Sequence, residues 1–453
     1  MDKCDEILIG EFKKLIYKNP EYWDFKESKK DHIHGICSYP ATMVPAMQSE
    51  ILKIILETNH NINNIFDPFM GSGTMLVEGM LNNLDVYGID INPLSYLLSY
   101  FKTNIPVLTE LKNSIDILFD SLDNTDKYEI VSFKNINKWY NVDIIEDLSK
   151  IHYCIKKLHD RSIRMFYWIC LCEVSRLCNN SRNSTFKLHI KSQEDITNFK
   201  YNVIKQFKKI AIDNIQRVEN YVRINSNLTN NNNNNKLYYS YEKKKYIYLG
   251  DSLNTMKDHF KDNSIDLIIT SPPYGDNHTT VTYGQFSVLP LRWIDVKDLD
   301  TFINNSLIEV DSKIDSLSLG GKNYSIEIIK ESNILNTSET LKKIFYELMN
   351  DDNLKAKKVV SFMIDFNKIF LELVRILKKD GYIVLTVGNR RVGNKEIRFN
   401  KIIKELCNCY NLKLIYEFDR NILSKRLPSK LSKLKNNISV NSMSKEYILI
   451  IKK

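Results

Sequence analysis

The stretch from Asn64 to Asp90 leaves this chain few folds to choose from. Asn64-Ile65-Phe66-Asp67 is a short apolar strand that breaks at Pro68 into Phe69-Met70-Gly71-Ser72-Gly73-Thr74, and Met75 to Leu81 continues as a helix. Val86-Tyr87-Gly88-Ile89-Asp90 then reads as a second strand ending in an acid. A strand, a crossover helix and a second strand in this order belong to an open α/β sheet with parallel pairing. Glycines at 71 and 73 let the backbone approach a ligand closely, and the N–H groups that open the helix favour a carboxylate or another anion. The turn lacks the G-K-[ST] of a phosphate-binding loop and is not the dinucleotide pattern G-x-G-x-x-G. Asp90 sits near the spacing at which an acid on the next strand accepts both hydroxyls of a ribose, with an N-cap before Pro93 as the alternative role. Together these features ask for a nucleoside with an anionic tail, and S-adenosylmethionine fits.

A second stretch, Ile265 to Tyr274, ends as abruptly. Leu267, Ile268 and Ile269 read as a buried parallel strand, and Thr270-Ser271-Pro272-Pro273-Tyr274 stops it because neither proline can donate to a ladder. Ser271 offers a hydroxyl, the residue before each proline is held extended, and Tyr274 supplies a flat ring. Such a corner suits a planar, amide-like group gripped at its edge and stacked on its face.

Composition bounds what surrounds these motifs. The 453 residues suffice for two domains or for one with large insertions, and 43% apolar content rules out disorder of the whole chain. A net charge of +9 suits a polyanionic partner without requiring one. The eight cysteines form no C-x-x-C pair and meet no paired histidine spacing, so they read as reduced thiols and no metal site is expected. The N-terminus lacks the order of a signal peptide, and the longest apolar run, Phe166 to Cys172, is too short to span a bilayer, so a cytoplasmic protein is expected.

Asp67-Pro68-Phe69-x-Gly71-Ser72-Gly73-Thr74 and Thr270-Ser271-Pro272-Pro273-Tyr274 together look like the cofactor and catalytic motifs of the DNA amino-methyltransferases, which make N4-methylcytosine or N6-methyladenine. The loop His34 to Pro45, with Tyr39, Pro40 and Ala41, resembles the segment that in this family touches the methionine end of the cofactor. Ile247 to Asp251 resembles the strand whose acid, here Asp251, approaches the cofactor adenine. Phe366 to Asn389 and Glu446 to Lys452 resemble later elements of the same sheet. The resemblance covers about half the chain. Two positions depart from the usual pattern, Thr42 for Lys and Met75 for a second Thr. The two motifs stand roughly two hundred residues apart, and many family members have them in the reverse order.

The resemblance implies a Rossmann-like, doubly wound methyltransferase sheet with helical insertions. Catalytic-domain segments are expected at 1–100, 245–294 and 359–453, with a helical insertion at 101–244 as candidate target-recognition region and a second insertion at 295–358 turning at Gly320-Gly321. Within the first insertion, Ile196 to Val222 reads as one long helix capped by Ser192 and Asp195, its apolar stripe a packing seam. Ser175 to Lys187 reads as a loop of interleaved cations and small polar groups in which Arg182 and Lys187 are candidates for contacts to phosphates or a guanine edge. Asn227 to Asn235 reads as an unstructured connector. Asp276 to Ser287 is dense in polar groups where a substrate would enter, which makes Asp276 and Tyr283 candidate base-pocket residues. The basic run Lys425 to Lys435 suits phosphate neutralisation or solvent equally.

The chemistry implied is methyl transfer to an exocyclic amino nitrogen of double-stranded DNA. That nitrogen's lone pair is delocalised into the ring. Hydrogen bonds to Ser271 Oγ and the Pro272 carbonyl would favour a pyramidal nitrogen aimed at the sulfonium methyl, while Tyr274 stacks on the flipped base. Family members with Ser before Pro-Pro-Tyr mostly act on cytosine N4, so cytosine is expected and adenine N6 is the alternative. C5-cytosine methylation is disfavoured, because its cysteine nucleophile follows a proline and no Pro-Cys pair occurs here. A tRNA guanine-N2 methyltransferase shares a similar glycine turn but usually carries Asp before the prolines. A cofactor-binding DNA regulator without activity is disfavoured by two intact motifs. The role expected is the modification component of a restriction–modification system, with any endonuclease a separate protein.

Overall fold

A computed structural model describes residues 2–182, 184–233, 236–299, 306–422, 430–431, 440–441 and 443–453. Among these, seven strands form the central sheet: β1 (Asn64–Asp67), β2 (Asp85–Asp90), β3 (Lys245–Leu249), β4 (Ile265–Thr270), β5 (Leu377–Gly388), β6 (Lys413–Asn421) and β7 (Lys445–Lys452). Their order across the sheet is β6-β7-β5-β4-β1-β2-β3. Strands β3, β2, β1, β4 and β5 are mutually parallel, whereas β7 runs antiparallel between β5 and β6. This is the doubly wound α/β architecture expected from the strand and turn pattern.

The apolar runs of β1 and β4 are continuous because both faces are covered. Ile65, Leu267, Ile269 and Val384 point into one core, and their neighbours Phe66, Ile268, Ile383 and Leu385 point into the other. Register places Ile65 beside Leu267 and Val86, and Thr270 beside Leu385. The first face is covered by helices Pro45–Thr58, Thr74–Leu81 and Pro93–Thr103, the second by Ser252–His259, Asn353–Ile376 and Phe399–Cys409. Strand order reverses between β1 and β4, and ligands of open α/β sheets bind at the carboxyl ends beside such a reversal. Asp67 and Thr270 end those two strands.

The first insertion continues the first core rather than standing apart from it. Helices Arg161–Cys178 and Val203–Ile224 bury Phe166, Tyr167, Phe207, Val218 and Tyr221 against the same cluster. Asn214 donates to the Ile36 carbonyl at 2.8 Å, and Glu173 accepts from Ser38 N at 3.0 Å. These helices therefore hold the 34–41 loop in place.

Three local expectations need correction. The long helix is two: Ser192 caps Gln193–Asn198, the backbone extends through Phe199, and Asn202 caps a fresh start at Val203. Ser175 and Arg176 belong to helix Arg161–Cys178, where the Arg176 guanidinium pairs with Glu173 at 2.7 Å, so the loop begins only after Cys178. The Asn-rich connector is not unstructured, since Thr229–Asn233 pairs antiparallel with Lys236–Ser240; composition alone missed a ribbon whose return strand is Lys-Leu-Tyr-Tyr-Ser. Residues 234 and 235, and the Lys425 to Lys435 run apart from 430–431, lie outside the described residues. No helix among the described residues is long and apolar enough to cross a membrane.

Candidate active site

The glycine turn is built by its backbone. Gly73 has φ +78° and Gly71 φ +48°, left-handed values that a side chain would strain, and a Cβ at Gly73 would lie 2.8 Å from Ser99 Oγ. Gly73 N donates to the Met70 carbonyl at 2.7 Å and closes the turn. Its outward carbonyls are tied from behind. Ser99 Oγ donates to the Gly71 carbonyl at 3.1 Å, and Lys102 Nζ donates to that of Ser72 at 2.6 Å. Lys102 is 1% exposed, and burial pushes its ammonium down to about 7.

Two carboxylates brace the same turn. Asp90 accepts from Gly71 N and Asn92 N, each at 2.9 Å, and burial raises its carboxyl above the usual range against these donors. Asp67 is fully buried at the end of β1. Its Oδ1 accepts from Thr270 Oγ1 at 2.6 Å and Phe69 N at 3.0 Å, while its Oδ2 has no partner. Burial pushes this carboxyl up to about 7. The Asp67–Thr270 bond joins the glycine turn directly to the strand that leads into Ser271. Pro68 is held by Ser252 Oγ, which donates to its carbonyl at 2.6 Å.

Around these groups lies a cleft with about 840 Å³ of open space, part of it continuous with solvent. From the N-terminal loop it is lined by Tyr39, Pro40 and Ala41, and from the glycine turn by Phe69, Gly71, Ser72 and Thr74. Asp90 and Asp251 contribute from the ends of β2 and β3, and Ser271, Pro273 and Tyr283 from the proline corner and the helix after it. The two motifs, two hundred residues apart in the chain, thus face one space. Asp67, Pro68 and Gly73 stand behind its wall as supports.

The remaining candidates are placed as follows. Pro272 and Tyr274 do not line the cleft; Pro272 is buried, and the Tyr274 ring stands against Gly388, which has no room for a Cβ. The Tyr274 hydroxyl donates to Glu446 Oε1 at 2.9 Å and lies 3.4 Å from Ser271 Oγ. Asp276 does not line the cleft; it is buried in an ion pair with Arg390 at 3.0 Å. Neither Arg182 nor Lys187 lines it. Their loop instead covers the segment after the corner: Lys187 Nζ donates to the His278 carbonyl at 3.3 Å, and Phe186 meets Phe286 at 6.0 Å between ring centroids.

Several lining residues carried no signal in the motifs. Asn92 donates to the Tyr39 hydroxyl at 3.2 Å and to Ser287 Oγ at 2.8 Å, tying the N-terminal loop to the helix after the corner. Its place before Pro93, directly after an acid-tipped strand, was the available clue. Ile314, Leu317, Ser318 and Leu319 line the cleft from the second insertion.

No protein-family model matches the sequence. The type II methyltransferase M.MvaI of Kocuria varians is 33% identical over 461 residues, covering 99% of this chain and 97% of that protein. The type II methyltransferase M.MjaII of Methanocaldococcus jannaschii is 21% identical, covering 91% and 84%. With one relative at that identity along almost the entire length of both chains, this chain belongs to the type II methyltransferases.

Proposed function

We propose that this protein methylates the exocyclic N4 of cytosine in double-stranded DNA, using S-adenosylmethionine, as the modification component of a restriction–modification system. The observation that carries the reading is the single cleft onto which the Gly71–Thr74 turn and the Ser271–Pro273 corner both open. Ser271, where adenine-specific relatives of the resembled family mostly carry Asp or Asn, favours cytosine.

The residues present fit the cofactor. Asp67 Oδ2 is a buried acceptor without a partner, the glycine turn leaves its backbone bare, and Asp90 and Asp251 stand at the ends of the next two strands. Tyr39, Pro40, Ala41, Phe69, Ser72 and Thr74 would hold the methionine end, Asp90 the ribose and Asp251 the adenine edge. When bound, S-adenosylmethionine supplies an electrophilic methyl on a sulfonium. Ser271 Oγ and the Pro272 carbonyl accept the two N–H groups of the target amino nitrogen and orient its lone pair into the cleft. The Tyr274 ring, fixed by Glu446 and Gly388, is a preset plate for the extruded base. Tyr283 closes the opposite side, and Arg182 and Lys187 neutralise backbone phosphates at the mouth. Asp276 acts with Arg390 as a brace for the corner.

The test is transfer of tritiated methyl to plasmid DNA, followed by nuclease digestion and mass spectrometry of the nucleosides. N4-methylcytosine is expected. N6-methyladenine would reassign the base, and transfer to tRNA with none to DNA would overturn the reading.

A further inference from the structure

We propose that Glu446 sets the direction of the hydrogen bonds at the proline corner. Acting through the Tyr274 hydroxyl, it turns the Ser271 hydrogen away from the cleft and leaves the Ser271 lone pairs free for the target amino group. The inference rests on the function proposed above and adds a positioning residue to it.

The sheet delivers Glu446 to the site. The parallel strands end at the edge that bears the cleft, and β7, which runs against β5, begins at that edge. Register sets Glu446 opposite Gly388, the last residue of β5, on one side and opposite Arg420 of β6 on the other. Directly opposed residues of neighbouring strands project to the same face, and Arg420 Nη1 donates to Glu446 Oε2 at 3.2 Å. Arg420 is itself held: it is buried, and its Nη2 donates to the Asp24 carbonyl at 3.3 Å. The other carboxylate oxygen, Oε1, accepts from the Tyr274 hydroxyl at 2.9 Å. Gly388 seats the Tyr274 ring on bare backbone, since a Cβ there would lie 2.7 Å from its Cδ2.

Counting donors and acceptors fixes the rest. A carboxylate paired with arginine only accepts, so the single proton of the Tyr274 hydroxyl goes to Glu446. Burial, with the Glu446 charge beside it, raises the Tyr274 phenol well above its ordinary value, so that proton stays in place. With its proton committed, the Tyr274 oxygen can only accept from Ser271 Oγ, 3.4 Å away, and it is that hydroxyl's one partner among the described residues. The Ser271 hydrogen therefore points back at Tyr274, and its lone pairs face the cleft that Ser271 lines. The separation is long for two hydroxyls, so the bond contributes direction more than stability. A serine without this partner could rotate its hydrogen toward the N–H groups it has to accept.

Glu446→Gln reverses the relay. Arg420 can only donate and so keeps the amide oxygen, which leaves the amide NH₂ facing Tyr274. The phenol proton is then free to turn to Ser271, and the serine hydrogen is driven into the cleft. Single-turnover transfer of methyl to DNA should slow by about 10-fold, the scale of one misdirected hydrogen bond, with affinity for S-adenosylmethionine within about twofold of wild type. Tyr274→Phe keeps the ring and deletes the relay; it should slow transfer by about threefold, and adding Glu446→Gln to it should cost no more than about twofold further. Equal slowing by Glu446→Gln in the wild-type and Tyr274→Phe backgrounds overturns the inference, as does a Glu446→Gln variant that transfers at the wild-type rate. If Glu446→Gln is recovered unfolded, Tyr274→Phe is combined with Ser271→Ala instead. The loss caused by Tyr274→Phe should vanish once the Ser271 hydroxyl is gone, and a loss that persists overturns the inference. A wild type that methylates no DNA would sink the proposed function, whereas a methylating wild type with additive losses sinks only this inference.

Discussion

Lys102 offers the sharpest stability test, because its amine is buried behind the glycine turn with a carbonyl as partner and, among the described residues, no carboxylate in an ion pair with it. In the unfolded chain its pKa is near 10.5, and in the folded protein it is about 7, so folding must strip a proton from it between those values. The group therefore opposes folding below pH 10.5, and its penalty grows as pH falls until it levels off near 7. Each pKa unit corresponds to about 1.4 kcal/mol, so wild type should lose roughly 2.5 kcal/mol between pH 9.5 and 7.5 from this group alone. Lys102→Met keeps the stem's bulk and removes the titration. It also removes the bond to Ser72, at a cost of about 1–3 kcal/mol that varies little with pH. The difference in stability, variant minus wild type, should fall by about 2.5 kcal/mol from pH 7.5 to 9.5, turning from favourable to near zero or below. Urea melts followed by tryptophan fluorescence at the two pH values measure it, because other titrating groups cancel in the difference. Parallel curves, with the same difference at both pH values, would refute the reasoning.

Three further outcomes follow from the site. Ser271→Ala removes one of the two acceptors proposed for the amino nitrogen; methyl transfer in single turnover should drop by about a hundredfold or more with cofactor affinity retained, and equal loss of both would point to misfolding. Gly73→Ala places a Cβ 2.8 Å from Ser99 Oγ at φ +78°, and a left-handed alanine alone costs about 1–2 kcal/mol, so a lower melting temperature and weaker cofactor binding are expected by calorimetry. Asp67→Asn replaces a carboxyl raised to about 7 from an ordinary value near 3.8. A raised carboxyl destabilises the fold progressively as pH climbs from about 4 to 7, so the variant should gain stability relative to wild type across that window and hold the gain above it, while losing cofactor affinity.

What the chain revealed in advance was local. Strands β1, β2 and β4 were legible because continuous apolar runs stop at a proline, a glycine turn or an acid, all within ten residues or so, whereas β5 was indicated by the family resemblance. Gly71, Asp90 and Ser271 stood out through the turns beside them and Tyr39 through the family resemblance, and all four line the cleft. What escaped depends on partners far apart in sequence. Tyr274 is fixed by Glu446, 172 positions away. Asp276 offered the same polar signature as Asn277, yet Arg390 claims it for an internal pair. Ile314 and Leu317 belong to no motif and reach the cleft only through the fold of the second insertion. The Asn-rich ribbon and the broken helix at Phe199–Asn202 failed for a different reason, since composition and periodicity both average over the few residues that decide the outcome.

The most direct measurement is a structure of the protein with a non-transferable analogue of S-adenosylmethionine and a duplex carrying its target sequence. The analogue's amino-acid end is expected at the Gly71–Thr74 turn and the target base out of the helix, its amino nitrogen between Ser271 Oγ and the Pro272 carbonyl and about 3–3.5 Å from the position of the transferred group. A target base still stacked in the duplex, or an analogue bound away from the Ser271–Pro273 corner, would contradict it.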